Sequence, residues 1–247
     1  MSDEESATKT EQARSIREMF ATIAARYDLL NHLLSANIDK RWRHRVAKTL
    51  HAGLPRVSSG QSEVRILDVA CGTGDLSFTL FESGDARVVG IDFCRPMLQI
   101  ASSKASRLDL EVPFIEGDAL ALPFRDCSFE AATIGFGLRN LAGVKAGLQE
   151  LFRVLKPGGR VVVLEFSRPT TPVLRSLFRI YFTKVLPFFG GLISGSMSAY
   201  QYLPDSVSRF PDQTELASMM RQVGFAEVTF QNLSGGIAAL HLGMRPQ

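Results

Sequence analysis

Tryptophan occurs once and cysteine three times in the 247 residues, and neither charge sign dominates. Cys71, Cys94 and Cys127 are odd in number and lack C-x-x-C spacing, so neither a disulfide framework nor a zinc site is expected. Free thiols of this kind fit a reducing cytosol. The net charge of +3 is too small and too dispersed to argue for nucleic acid, which needs a concentrated basic stripe. Met1 to Thr10 carries Asp3, Glu4 and Glu5 and no apolar run, so it does not read as a signal peptide. Long apolar runs are also missing. The uncharged stretches Val185–Pro204 and Val228–Met244 are broken by prolines, glycines, serines, Gln231 and Asn232, and neither reads as a bilayer-spanning helix. With 45% hydrophobic and 21% charged residues, the composition excludes disordered, collagen-like and coiled-coil chains. The oddest positive feature is the aromatic set, in which 17 Phe outnumber 4 Tyr and the single Trp.

The hydrophobic pattern predicts one α/β domain. Residues 1–12 read as a flexible polar tail. Ile16, Met19, Phe20 and Ile23, then Leu29, Leu30, Leu33 and Leu34, recur at helical spacing, predicting a helical cap over 13–55 that ends near Gly53 and Pro55. A cofactor-binding core over 60–167 follows, with strands alternating with helices. The expected strands are 64–69, 87–92, 112–115, 129–134 and 160–166. The helix carrying Leu148, Leu151 and Leu155 is expected to stop at Pro157-Gly158-Gly159. A lid insertion is expected over 168–212, then a last helix and a strand pair over 213–247. The fold class is therefore α/β, a doubly wound, mainly parallel seven-stranded sheet.

The first strand ends in the turn Cys71-Gly72-Thr73-Gly74. A dinucleotide loop needs a third glycine, but Asp75-Leu76-Ser77 follows; a phosphate loop needs Lys-Ser/Thr, which is also absent. Instead, Asp68 lies upstream and Asp75 just beyond, and carboxylates there oppose a pyrophosphate and favour a cation. S-Adenosyl-L-methionine, with a sulfonium, an ammonium and no phosphate, meets that demand. Asp92, ending the second strand, is placed to accept from both ribose hydroxyls, and Gly117-Asp118-Ala119 can bring a carboxylate to the adenine amino group. The bland alternative is that Asp68 caps the loop amides and the other two cap helices.

These residues resemble the S-adenosylmethionine-dependent methyltransferases. Further motifs are similar to those of the ubiquinone/menaquinone biosynthesis C-methyltransferases (the UbiE/MenG family). They are Tyr27-Asp28-Leu29-Leu30-Asn31-His32-Leu33-Leu34-Ser35 with Arg41-Trp42, and Phe136-Gly137-Leu138-Arg139-Asn140. Arg153 to Ser167, Tyr202 to Ser206 and Phe210-Pro211 complete the set. The resemblance runs from Met19 to Pro246. Three departures stand out: Asp39 where the family has His, Leu30 where it has Met, and Gly135 where it often has Ser. The resemblance implies transfer of a methyl to a ring carbon of a polyprenylated quinol, demethylmenaquinol ahead of a methoxybenzoquinol. It implies a cofactor set of Gly72, Thr73, Gly74, Asp92, Phe93, Asp118, Ala119 and Gly135, with no metal.

For the chemistry, the resemblance places Arg139 as stabiliser of the developing phenolate and Asn140 as orienter of the ring or a water. Tyr27, His32 and a water held by Arg139 compete as base. Trp42 reads as a core anchor, and Cys71 and Cys94 as small apolar fillers beside the cofactor. Another small-molecule methyltransferase, or a cofactor-binding regulatory protein without turnover, stays open. In the insertion, Val173, Leu174, Leu177, Phe178, Tyr181, Phe182 and Val185 form an apolar stripe bordered by Arg175, Arg179 and Lys184. It reads as a lid over an isoprenoid channel that touches the membrane surface. Phe166, Phe178, Phe182, Phe188, Phe189 and Phe210 are expected to line that channel. The partners expected are the quinol, peripheral contact with the inner face of the membrane and a homo-oligomer, in a cytoplasmic protein.

Overall fold

The computed structural model describes residues 3–35, 37–54, 63–181 and 197–247. In chain order the elements are α1 (Asp3–Leu34), α2 (Ile38–His51), β1 (Val64–Val69), α3 (Asp75–Glu82), β2 (Ala86–Asp92), α4 (Arg95–Leu108), β3 (Phe114–Glu116), β4 (Phe129–Gly135), α5 (Val144–Val154), β5 (Leu155–Phe166), α6 (Pro172–Ile180), α7 (Met197–Arg209), α8 (Gln213–Val223), β6 (Ala226–Leu233) and β7 (Ala238–Met244). Single 3-10 turns cover Leu138–Asn140 and Ser234–Gly236. The strands form one seven-stranded sheet in the order β3-β2-β1-β4-β5-β7-β6. All neighbours are parallel except β7, which runs antiparallel to β5 and β6. This is the doubly wound sheet the sequence predicts.

The strands are apolar on both faces because both faces are covered. Successive residues point to opposite sides, so the adjacent pairs Ile66/Leu67 and Val162/Val163 divide between two cores. Leu67 and Val163 join Leu148 and Leu151 of α5 and Leu216 and Met220 of α8. Ile66 and Val162 join Val46 and Leu50 of α2 and Leu76 and Leu80 of α3. Strand order reverses at β1, between β2 and β4. The crevice beyond the carboxyl ends of the strands therefore opens there, where such sheets bind ligands.

Several boundaries differ from expectation. Helix α1 reaches back to Asp3, through the stretch read as a tail; no glycine or proline interrupts the run. β3 starts at Phe114 because Pro113 has no N–H to donate; its carbonyl accepts from Gly90 N instead. α5 ends at Val154 and β5 starts at once. The Lys156-Pro157 step disfavours helix, and the glycines lie within β5, where the register with β4 shifts. α8 starts at Gln213 because Asp212 and Glu215 close a capping box. Part of the expected lid insertion is the helix α7. Phe182, Lys184, Val185, Phe188 and Phe189 lie outside the described residues. No helix among the described residues is long and apolar enough to cross a membrane.

Candidate active site

Two cavities meet at the crevice. The first, about 330 Å³, is lined by the ends of β1, β2 and β4, by the loop after β3 and by Arg17 and Phe20 of α1. The second, about 370 Å³, lies under α1, α2, α6 and α7. Phe20, Tyr27, Ala70, Gly72, Gly135 and Phe136 border both.

The first cavity gathers Gly72, Asp92, Phe93, Asp118, Ala119 and Gly135 of the expected cofactor set. Asp92 is buried, and burial pushes its carboxyl above the ordinary range despite backbone N–H bonds from Cys94, Gly72 and Phe93. Its Oδ2 accepts from Gly72 N at 2.8 Å and its Oδ1 from Cys94 N at 2.8 Å. With three of its roughly four acceptor sites taken, the carboxylate keeps capacity for a further donor. Asp118 Oδ1 accepts from Leu120 N, so this acid both caps its loop and borders the cavity.

Thr73 and Gly74 stand apart from that set. Thr73 borders the second cavity, and its hydroxyl donates to Asp28 of α1. Gly74 borders neither cavity. It caps α3 at φ 86°, and a Cβ there would meet the Phe78 and Phe114 rings at 2.9 Å. Its role is packing and turn geometry.

The three acids read together at the strand ends also divide. Asp68 is fully buried, borders the second cavity and accepts from Ser77 Oγ at 2.6 Å and Thr133 Oγ1 at 2.8 Å, not from loop amides. Burial pushes its carboxyl up to about 6. Its folded pKa lies above the unfolded one, so its contribution to stability is present below about pH 4 and is lost as pH rises through about 6. Asp68→Asn keeps both hydroxyl partners and removes the buried charge. The variant is expected to match the wild type in acid and to exceed it above pH 6 by the order of 1–3 kcal/mol. Paired thermal melts across pH check this; a gap that does not grow with pH rejects it.

Arg139 borders the second cavity and is almost fully buried. Its Nη1 donates to Glu165 Oε1 at 2.7 Å and to the Phe136 carbonyl, and its guanidinium lies 5.3 Å from the centre of the Phe166 ring. Its Nε–H is buried with no partner among the described residues. Asn140 borders the first cavity; its Nδ2 donates to the Phe136 carbonyl, and Tyr202 Oη donates to its Oδ1 at 3.1 Å. Phe136 holds a left-handed backbone, φ 57°, which side chains rarely adopt. That twist turns its carbonyl to Arg139 and Asn140 and sets its ring 4.7 Å from Phe166 and 5.9 Å from Trp42. In the sequence Phe136 stands as part of a motif, and flanking Gly135 and Gly137 are the hint of the turn.

Tyr27 borders both cavities, and burial pushes its phenol up, so it stands as a hydrogen-bond donor at neutral pH. His32 does not border either cavity. Its Nδ1 lies 2.8 Å from Asp39 Oδ2 and its Nε2 3.6 Å from Asp75 Oδ2. Asp39, the departure from the family pattern, is the hub of a buried network: it accepts from Ser35 Oγ at 2.6 Å and pairs with Arg43 at 2.7 Å. Burial acts to raise its carboxyl, but Ser35, Arg43 and His32 together hold it below its ordinary value. Arg43 also reaches Asp75, and Lys104 bridges Asp75 and Asp28. The network ties the cap to the glycine loop.

Trp42 packs into the core and also borders the second cavity, donating to Ser234 Oγ at 3.1 Å. Cys94 is buried in the α4 turn, and Cys71 borders the second cavity. Phe166 and Phe178 line that cavity as expected. Phe210 does not. It packs with Leu216 and Met220 in the core on the opposite face of the sheet.

The family model for the ubiE/COQ5 methyltransferase family matches residues 7–245. A Thermus thermophilus demethylmenaquinone methyltransferase is 52% identical over 229 residues, covering 92% of this chain and 100% of that one. A Geobacter sp. ubiquinone/menaquinone biosynthesis C-methyltransferase UbiE is 46% identical over 244 residues, covering 96% and 98%. Among solved structures, a methyltransferase from Thermotoga maritima superposes with a TM-score of 0.64 at 20% identity, covering 92% and 98%. The Haemonchus contortus phosphoethanolamine N-methyltransferase 2, in complex with S-adenosyl-L-methionine, gives 0.57 at 14%, covering 81% and 53%. At these identities the two structures share the fold.

Proposed function

The chain belongs to the ubiE/COQ5 methyltransferase family, and from that premise we propose that it methylates a ring carbon of a polyprenylated quinol with S-adenosyl-L-methionine as donor. The observation that carries the reading is the junction of a small acid-bordered cavity with a second, aromatic one at Tyr27, Gly72, Gly135 and Phe136. The cofactor, when bound, supplies an electrophilic methyl on a sulfonium. Asp92 would hold the ribose with its remaining acceptor capacity, Asp118 would meet the adenine amino group, and Gly72, Phe93, Ala119 and Gly135 would shape the wall. The quinol ring lies in the second cavity, its apolar tail against Phe166 and Phe178.

Ring carbon becomes nucleophilic as the neighbouring hydroxyl loses its proton, so the site must favour the phenolate. Arg139 Nε–H is the free buried donor for that oxygen. Asn140, held by Tyr202 at the border of the first cavity, orients a water beside the ring, and Tyr27 donates at the junction. The proton of the hydroxyl leaves to a water, because His32 is engaged outside the cavities. The ring C–H proton follows it as the aromatic ring re-forms. Helices α1 and α2 of the cap and α6 and α7 of the lid enclose the substrate over the sheet, and the exposed side of α6 touches the membrane that holds the tail.

The relatives named demethylmenaquinone methyltransferase favour the naphthoquinol acceptor. Incubating the protein with demethylmenaquinol and, separately, a methoxybenzoquinol, followed by mass spectrometry, tests this. Methylation of the naphthoquinol is the expected result. Cofactor binding without transfer to either ring would reject the activity.

A further inference from the structure

The buried face of α2 carries Trp42, Val46, Ala47 and Leu50. Its exposed face carries Lys40, Arg41, His44, Arg45 and Lys48, which fall on one continuous arc at 100° per residue. The only acid of the helix, Asp39, is buried in the ion-pair network. Four fixed positive charges thus occupy one helix face, more than the net +3 of the whole chain. The basic stripe absent from the overall composition exists locally.

That face adjoins the mouth of the aromatic cavity. Between Arg41 and Arg45 and the β6 end lies an open groove of about 390 Å³, whose residues Ile38, Trp42 and Ser234 also border the aromatic cavity. Trp42 donates to Ser234, and the next turn carries α6: Gly235 O accepts from Thr170 N, and Leu174 packs on Gly235. Helix α6 then presents Val173, Leu177 and Ile180 to solvent at 73%, 58% and 50% exposure. A cationic face, the cavity mouth and an apolar face are therefore contiguous.

We propose that the exposed face of α2 docks the protein on an anionic phospholipid bilayer, with Lys40, Arg41, Arg45 and Lys48 on the headgroup phosphates and α6 in the acyl boundary. Charge complementarity names the partner's sign, and the adjoining apolar stripe names a lipid surface over a nucleic acid, whose backbone offers nothing for Val173 or Leu177. The docking rests on the quinol reading only for its purpose, which is to place the cavity mouth where an isoprenoid tail can slide in from the bilayer.

The test is flotation of the full chain with phosphatidylcholine vesicles containing phosphatidylglycerol and with phosphatidylcholine vesicles alone. It compares the wild type with the triple variant Lys40→Glu, Arg41→Glu, Lys48→Glu. Turnover of a tail-less, water-soluble quinol is read in parallel. The wild type is expected to bind only the anionic vesicles, and the variant to lose about 100-fold or more in partition while its turnover of the soluble quinol stays unchanged. Equal binding to neutral vesicles, retained binding by the variant, or preference for duplex DNA over the anionic vesicles overturns the proposal. A wild type that floats with anionic vesicles yet never methylates the soluble quinol overturns the activity and leaves the docking standing.

Discussion

Arg139→Gln is expected to lower kcat for quinol methylation by about 10²–10³-fold, the loss seen when one buried oxyanion donor is removed. The expectation rests on a buried donor of the guanidinium that has no partner among the described residues. Nη1 is committed to Glu165 and to the Phe136 carbonyl, whereas Nε–H is buried without a partner on a side chain that borders the aromatic cavity. A donor left bare in a dry wall is costly unless a ligand completes it. The quinol binds neutral and its oxygen becomes charged only when the hydroxyl proton leaves, so the donor favours the reactive phenolate over the bound quinol. The loss should therefore fall on kcat more than on KM.

One complication is structural. Removing Arg139 strands Glu165, which is 1% exposed, and an unpaired buried charge costs about 3–5 kcal/mol. The double variant Arg139→Gln, Glu165→Gln removes both charges and should recover much of the melting temperature while kcat stays low. Turnover that returns with the melting temperature would show that Arg139 serves the fold alone. A ring-halogenated quinol, whose hydroxyl ionises more readily, should narrow the gap between wild type and variant.

The fold was legible because its signals are local. Val64 to Val69 and Arg160 to Phe166 are short, nearly continuous apolar runs, the mark of strands covered on both faces. Asp92 was legible from its place one strand beyond the glycine turn, and it does meet Gly72 there. What escaped depends on contacts distant in sequence. Lys104 joins Asp28 and Asp75, and Asp39 joins His32 and Arg43, without any periodic trace in the chain. The division of the acids, Asp68 to one cavity and Asp92 with Asp118 to the other, turns on which side of β1 each side chain faces. The Phe excess misled at Phe210, because an aromatic core residue and an aromatic channel residue have the same composition. Phe136 shows the converse: its left-handed backbone is visible only once Arg139 and Asn140 are seen to share its carbonyl.

Asp92→Asn is expected to weaken S-adenosyl-L-methionine binding by about 10²–10³-fold in calorimetry, two charge-assisted hydrogen bonds being worth roughly 1.5–3 kcal/mol each. Both carboxylate oxygens already accept a backbone N–H at 2.8 Å, one from Gly72 and one from Cys94. An amide can keep one of these but must turn its own N–H₂ toward the other, so the loop before α3 or the turn before α4 loses its anchor. The ribose diol loses an acceptor at the same time. Burial already disfavours the Asp92 charge, so relief of that charge offsets the lost anchor and the melting temperature of the ligand-free protein should stay close to that of the wild type. Lost affinity without lost stability is the signature of a ligand contact. A 2′-deoxy analogue of S-adenosylhomocysteine separates the ribose contact from the loop anchor. The wild type should bind the analogue about tenfold more weakly than the parent, while Asp92→Asn should bind the two alike. If the variant discriminates between them as strongly as the wild type does, the hydroxyl is held elsewhere and Asp92 acts only on the loop.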